Sequence, residues 1–341
     1  MRKPVVLITG ANGEIGHGLV EHFEKDRGKS IVAMDIKPFD ERLSGCCAAT
    51  IVGDILDENL LERLVSEYEI HEIYHLAALL STRAEYTPIQ AHRVNVNGTL
   101  NLLKLAVEQS RWHGNPVKFL FPSSIAAYGL PDRETKNRAG RVKETEYNFP
   151  STMYGCNKLY CEHLGRYFTI HYKQLAAEPG SSGVDFRALR FPGLISAVTE
   201  PSGGTSDYAP EMIHAAAKGE PYKCFVDEGA QIPFMAMPDG VKAIVGLADT
   251  PKAKLSQGVY NLGAFSCTAG ELRDRVVKVF PEAEITFEPD KPRARIVDTW
   301  PADVDDAPAR RDWGWKPDYD IGRAFDEYLM PTITKYYQDR G

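Results

Sequence analysis

The chain has 341 residues, 43% of them hydrophobic and 26% charged, an ordinary globular balance that excludes disorder as its main state. Its net charge of −7 argues against nucleic acid as a partner, because phosphate backbones want a basic face. No apolar run reaches the roughly 18 residues of a membrane span, and the length corresponds to about two domains or one large one.

Met1-Arg2-Lys3-Pro4 runs straight into the apolar Val5–Ile8 and then Gly10. That is too early for a signal-peptide core, so a soluble, cytoplasmic protein with no membrane partner is expected. Val5–Ile8 reads as a strand, residues 14–26 as a helix through Ile15, Leu19, Val20 and Phe23, and Ile31–Met34 and Thr50–Val52 as the next strands. A helix follows over Asn59–Tyr68, then buried strands at Ile73–Leu76 and Val117–Phe121 with a long helix from about 90 to 112 between them. Repeated strand–helix–strand units predict an α/β fold, a Rossmann-like doubly wound parallel sheet with ligands at the strand carboxyl ends. Residues 1–190 are expected to form this nucleotide domain, with segments from about 236–265 returning to it. Residues 191–341 are expected to form mainly a smaller α/β substrate lobe. The charged stretch at 130–150 and the Pro/Gly/Ser stretch at 177–183 read as surface insertions, and Trp300, Trp313, Trp315 and Tyr319 as packing for the small lobe.

The six cysteines, Cys46, Cys47, Cys156, Cys161, Cys224 and Cys267, form no CxxC pair. They are expected to be buried free thiols, with no metal site.

Thr9-Gly10-Ala11-Asn12-Gly13-Glu14-Ile15-Gly16 lies between the first strand and the first helix. Glycines there permit a tight turn and close approach of a pyrophosphate to free helix N–H groups. Asp35 ends the second strand, where a carboxylate accepts both ribose hydroxyls and repels a 2′-phosphate, favouring NAD over NADP. Lys37 beside it softens that preference. Asp54-Ile55 closes the third strand near the expected adenine position, and Leu76-Ala77-Ala78 closes the fourth with mostly small residues against which a dinucleotide fits.

Tyr154-Gly155-Cys156-Asn157-Lys158 sets a phenol and an ammonium at i and i+4, on one helix face. A bare YxxxK also fits an exposed surface pair. Here it begins a helix about 30 residues after a strand ending in Pro122-Ser123-Ser124, a natural place for a hydroxyl that orients the substrate oxygen. A free tyrosine has a pKa near 10, and a shift of about 3 units is needed for a phenolate at neutral pH. A nearby lysine and a cationic nicotinamide both favour that form.

With these motifs in this order, together with Asn95-Val96-Asn97-Gly98-Thr99, the chain resembles the extended short-chain dehydrogenase/reductases. Several segments are similar to the short-chain type of L-threonine 3-dehydrogenase: Ala77–Ser81, Arg190–Ser196, Ser202–Ala209, Met237-Pro238-Asp239, Asp298–Pro301 and Asp305–Trp315. The resemblance implies NAD-dependent oxidation of the β-hydroxyl of L-threonine to L-2-amino-3-oxobutyrate. It implies Tyr154 as base, Lys158 as its electrostatic partner and ribose ligand, and Ser124 as holder of the reacting oxygen. Ser81, Ser124, Tyr154, Gly193 and Thr205 would line the threonine site. The implied cofactor set is Gly10, Asn12, Gly13, Glu14, Ile15, Gly16, Asp35, Ile36, Asp54, Ile55, Leu76, Ala77, Ala78, Asn95, Lys158 and Phe191. A homodimer packing the 90–112 and YxxxK helices, and a small lobe closing by the 200–206 loop, are further implications. Leu130–Asn148 and Leu175–Ser182 read as extra to the pattern. Thr205-Ser206 stands where two threonines are expected. Tyr128 is also what nucleotide-sugar relatives show, so an NAD-dependent epimerase or dehydratase of nucleotide-sugars is the alternative, with Arg293 and Arg295 as available cations. A dinucleotide-sensing protein without turnover would not need Ser124, Tyr154 and Lys158 together.

Overall fold

The computed structural model describes residues 2, 4–25, 28–176, 182–201 and 203–338. Seven parallel strands form the central sheet: β1 (Pro4–Thr9), β2 (Ile31–Asp35), β3 (Ala49–Val52), β4 (Glu69–His75), β5 (Val117–Ser124), β6 (Val184–Phe191) and β7 (Val259–Asn261). Their order across the sheet is β7-β6-β5-β4-β1-β2-β3. The chain therefore reverses direction across the sheet beside β1, and a crevice opens at the carboxyl ends of β1 and β4.

The pleat explains the layering. Side chains alternate along a strand, so Val5 and Leu7 of β1 join the core under one face while Val6 and Ile8 join the core under the other. The first core takes Leu60, Leu61 and Leu64 from the helix Glu58–Glu67, Leu102, Leu103 and Ala106 from Gly98–His113, and Cys161 from Met153–Arg166. The second takes Leu19, Val20 and Phe23 from Glu14–Lys25, and Ile244, Leu247 and Ala248 from Met237–Asp249. Both sheet faces are covered, as an all-parallel sheet requires. The fold class expected from the sequence is the one observed.

A third core lies over the carboxyl ends of the strands. It packs Met212, Ile213, Phe225, Phe234, Trp300, Phe325 and Ile333 together. Around it are a three-stranded sheet (Gly193–Ile195, Gln231–Ala236, Phe265–Thr268) and a two-stranded parallel pair (Tyr222–Cys224 with Ile285–Phe287).

Three expectations need correction. The segment Leu130–Asn148 is no surface insertion: it holds a helix, Arg133–Ala139, and a strand, Arg141–Val142, that pairs with Asp303–Val304. Leu130 and Val142 are buried in the third core, and the buried Lys136 Nζ donates to Val297 O at 3.0 Å. Its many charges hid a few apolar anchors. Of the aromatic cluster, Trp300 and Tyr319 pack in the small lobe, but Trp313 and Trp315 pack against the core of the large sheet. The helical segment expected from about 90 to 112 is observed, running from Pro88 through a π turn at Arg93–Asn97 into Gly98–His113. Of the segment at 175–182, residues 177–181 lie outside the described residues. Among the described residues no helix is long and apolar enough to cross a membrane and no metal-ligating group of three occurs. The six cysteines are free, but only Cys161, Cys224 and Cys267 are buried; Cys46 and Cys47 are half-buried and Cys156 is exposed.

Candidate active site

The glycine-rich turn sits in the crevice beside β1. Gly10 has φ +70, and a Cβ there would lie 2.6 Å from Ala77 N. Only glycine fits both the left-handed backbone and the close approach to β4. A Cβ on Gly16 would lie 2.4 Å from Ala11 O, so the first helix starts tight against the turn. Asp35 stands at the rim: its Oδ2 accepts from Asn12 N at 3.0 Å and its Oδ1 from Lys37 N at 3.0 Å. Asn12 Nδ2 donates to Lys37 O and Pro38 O. The turn and the end of β2 are thus one hydrogen-bonded unit around a carboxylate.

This cradle fits a dinucleotide. It offers a glycine turn leading into a helix N-terminus, a carboxylate at the end of β2, and the half-buried Leu76, Ala77 and Ala78 opposite. Other residues of the expected set stand differently. Asn95 is buried, and its amide is spent on both backbone groups of Leu79 (2.8 and 3.0 Å), so it supports the wall behind the crevice. Ile55 is buried against Gly98, while Asp54 is exposed and accepts from Leu56 N at 2.9 Å. Ile36 is an exposed side chain. Phe191 is buried, opposite Ser124 in the sheet register. His75, buried below the turn, is bonded to Thr9 Oγ1 and Thr99 Oγ1. Burial, and secondarily the Lys158 charge, push its pKa down to about 3.

The strand β5 ends at Ser124, and the helix Met153–Arg166 opens on Thr152, whose hydroxyl accepts from Gly155 N. Gly155 permits this helix to lie against Ala126: a Cβ there would be 2.0 Å from Ala126 O. The close packing brings Tyr154 near enough to Ser124 for the serine hydroxyl to act on the phenol, while Ser124 Oγ accepts from Ala126 N at 3.1 Å. Burial raises the Tyr154 phenol above its ordinary range, and the neighbouring Ser124 hydroxyl offsets this only in part. Lys158 Nζ lies 5.4 Å from the Tyr154 ring centroid and donates to Pro122 O at 2.6 Å. Burial lowers Lys158 to about 8.

A second cluster faces this one. Thr205 N–H donates to Ser81 Oγ at 3.3 Å, joining the loop before the helix Tyr208–Lys218 to the start of Ser81–Tyr86. Gly193, where a Cβ would lie 2.7 Å from Phe234 Cδ1, lets the small lobe's strand run close behind.

The sequence reading missed the network under the site. Arg190 at the end of β6 forks onto Glu162, with Nε to Oε1 at 2.8 Å and NH2 to Oε2 at 2.6 Å, and Ser123 Oγ donates to the same Oε1 at 2.5 Å. Arg190 also lies 4.6 Å over the Tyr128 ring, and Tyr128 OH donates to Asn261 Oδ1 at 2.7 Å. These groups are buried. The helical signal was available: Glu162 follows Lys158 by one turn, on the face of Tyr154. Its partner on β6 was not visible in one sequence.

Comparison with known proteins places the chain. The sequence profile of the NAD dependent epimerase/dehydratase family matches residues 6–263. A mitochondrial L-threonine 3-dehydrogenase of Sus scrofa is 36% identical over 322 residues, 94% of this chain and 80% of that protein. The solved L-threonine 3-dehydrogenase of Trypanosoma brucei is 33% identical with a TM-score of 0.85, covering 98% of each chain. A monomeric L-threonine 3-dehydrogenase from a metagenome is 34% identical with a TM-score of 0.84, covering 99% of this chain and 100% of its own. The chain belongs to the NAD dependent epimerase/dehydratase family.

Proposed function

We propose that this member of the NAD-dependent epimerase/dehydratase family is an oxidoreductase that converts L-threonine to L-2-amino-3-oxobutyrate with NAD+. The observation that carries the reading is the meeting of Ser124, Tyr154 and Lys158 at the end of β5, in a chain similar over nearly its whole length to threonine dehydrogenases.

Bound NAD+ supplies the hydride acceptor and a positively charged ring. The protein supplies the rest. Tyr154 takes the proton of the β-hydroxyl, and Ser124 orients that oxygen. Lowering a phenol by about 3 units takes on the order of 4 kcal/mol. Burial of Tyr154 works against that shift; the neighbouring Ser124 hydroxyl, the Lys158 charge and the charged nicotinamide ring work for it. With its own pKa near 8, Lys158 is mostly charged at neutral pH, and it also holds the nicotinamide ribose. Ser81 and Thr205 hold the amino-acid end of the substrate beside Gly193. Asp35 holds the adenosine ribose and sets the preference for NAD over NADP.

Of the residues that suggested the nucleotide-sugar alternative, Arg295 stays exposed, while the other two are turned to structural contacts. Tyr128 is buried in the network under the site, and Arg293 is engaged, with NH2 donating to Gly204 O at 3.2 Å and its guanidinium 3.4 Å over the Phe225 ring. We also place the protein in the cytoplasm as a homodimer. The free thiols suit a reducing compartment. The exposed Tyr86, Ile89, Tyr160 and Ile170, on and beside the YxxxK helix, suit burial against a second copy, which sedimentation equilibrium tests. NADH formation with L-threonine, run beside UDP- and dTDP-sugars, tests the substrate.

A further inference from the structure

Ser81 and Glu85 lie one turn apart on the short helix Ser81–Tyr86, so their side chains leave it on one face. Each reaches a different part of the site. Ser81 Oγ accepts from Thr205 N at 3.3 Å. Glu85 Oε1 accepts from Met153 N at 2.7 Å. Met153 is the first residue of the helix that carries Tyr154 and Lys158, and it directly precedes Tyr154. One short helix therefore holds the substrate loop at one end and the start of the Tyr154 helix at the other.

That short helix has a fixed base. The Asn95 amide clamps both backbone groups of Leu79 at 2.8 and 3.0 Å, and Ala84 is fully buried. On the facing helix, the first N–H groups have no partner within their own helix. Thr152 Oγ1 takes Gly155 N at 3.1 Å, and Glu85 takes Met153 N from outside. A carboxylate also suits the positive end of a helix.

We propose that Glu85 is a positioning residue for the oxidation: by holding Met153 N it sets where the Tyr154 phenol stands relative to the substrate oxygen. The inference rests on the threonine-oxidation reading, in which Tyr154 takes the hydroxyl proton. Glu85 acts on the reaction only through Met153. It is exposed, and an exposed hydrogen bond of this kind adds little net stability. A displacement of about 1 Å at a reacting group, by contrast, costs up to about 100-fold in rate. The contact is small in the folding balance and large in the chemistry. What the geometry needs from position 85 is an acceptor oxygen at the right reach, which a glutamine also presents.

The test compares the wild type, Glu85→Ala and Glu85→Gln in NADH formation from L-threonine. kcat is expressed per NAD+-binding site, and NAD+ affinity and thermal unfolding are measured on the same samples. Glu85→Ala is expected to lose about 10- to 100-fold in kcat. Its KM for L-threonine is expected to stay within about threefold and its NAD+ affinity within about twofold, because Ser81, Thr205 and the glycine turn keep their groups. Glu85→Gln is expected to restore kcat to within about threefold of the wild type. Unchanged kcat per site in Glu85→Ala, with or without a lower melting temperature, would overturn the proposal and leave Glu85 a surface cap. Equal losses of kcat in the two variants would overturn it by assigning the effect to the charge. Wild-type protein that binds NAD+ and leaves L-threonine untouched would overturn the oxidation reading and the role of Glu85 with it, an outcome read on the wild type alone and so distinct from failure in the variants.

Discussion

Ser81 and Thr205, 124 residues apart in sequence, meet across the crevice, the Thr205 N–H donating to the Ser81 hydroxyl at 3.3 Å. One residue opens a helix beside the fourth strand and the other is buried in the loop that leads into the small lobe. A substrate bound between Tyr154 and this pair touches both halves of the molecule. Ser81→Ala and Thr205→Ala are each expected to raise the KM for L-threonine about tenfold, the scale of one hydrogen bond to a charged group. The dissociation constant of NAD+ should stay within about twofold. A matched loss of NAD+ binding in the same titrations would show that the pair shapes the fold and not the substrate site.

The proposed ribose ligand Asp35 is expected to carry the cofactor preference. Its two oxygens already hold the Asn12 and Lys37 backbones, so the carboxylate is fixed in place before a ribose arrives. Asp35→Asn is expected to reduce kcat/KM for NAD+ by about 10- to 100-fold and to reduce it far less for NADP+, because the repulsion of the 2′-phosphate goes with the charge. Steady-state kinetics with both cofactors decide it. Equal losses would remove Asp35 from the ribose site.

The Arg190–Glu162 pair supports from below the helix that bears Tyr154 and Lys158. Both side chains are buried, and leaving one of them unpaired costs about 3–5 kcal/mol. Arg190→Met is expected to lower the unfolding free energy by that amount in urea titrations. Replacing both residues with apolar ones should recover part of the loss. A single variant within about 0.5 kcal/mol of the wild type would mean that the pair contributes nothing net.

His75 makes stability sensitive to acid. Its folded pKa of about 3 lies below the ordinary value of 6.5, so the unfolded chain takes up the proton first. The contribution is present above pH 6.5 and is lost as pH falls toward 3. Between pH 7 and 5 this group alone removes about 2 kcal/mol. His75→Gln is expected to flatten the stability profile over that interval. An unchanged slope in denaturant unfolding at the two pH values would exclude His75 as its source.

The sequence made the nucleotide half legible because local rules govern it. Apolar runs ending at Gly10 and Asp35 are strands ending in a crevice, and the spacing from Tyr154 to Lys158 is one helical turn. The parts that stayed hidden depend on distant pairing. Nothing near Glu162 announces Arg190, and nothing near Glu85 announces Met153. Asn95 carried the right motif, but its side chain holds Leu79. Trp313 and Trp315 read as one cluster with Trp300 until the fold sent them to the other core. The segment at 130–148 was misread because a charged surface and a buried underside alternate along it, with Leu130 and Val142 turned inward.

The central claim is that Tyr154 removes the proton of L-threonine while NAD+ is reduced. The most direct measurement is NADH formation from NAD+ and L-threonine by the purified protein beside Tyr154→Phe, with NAD+ affinity measured for both. The account requires turnover in the wild type, a loss of about 10²- to 10⁴-fold in kcat in the variant, and NAD+ affinity within about twofold. Wild-type protein that binds NAD+ and leaves L-threonine untouched would contradict the substrate, and undiminished turnover by Tyr154→Phe would contradict the base.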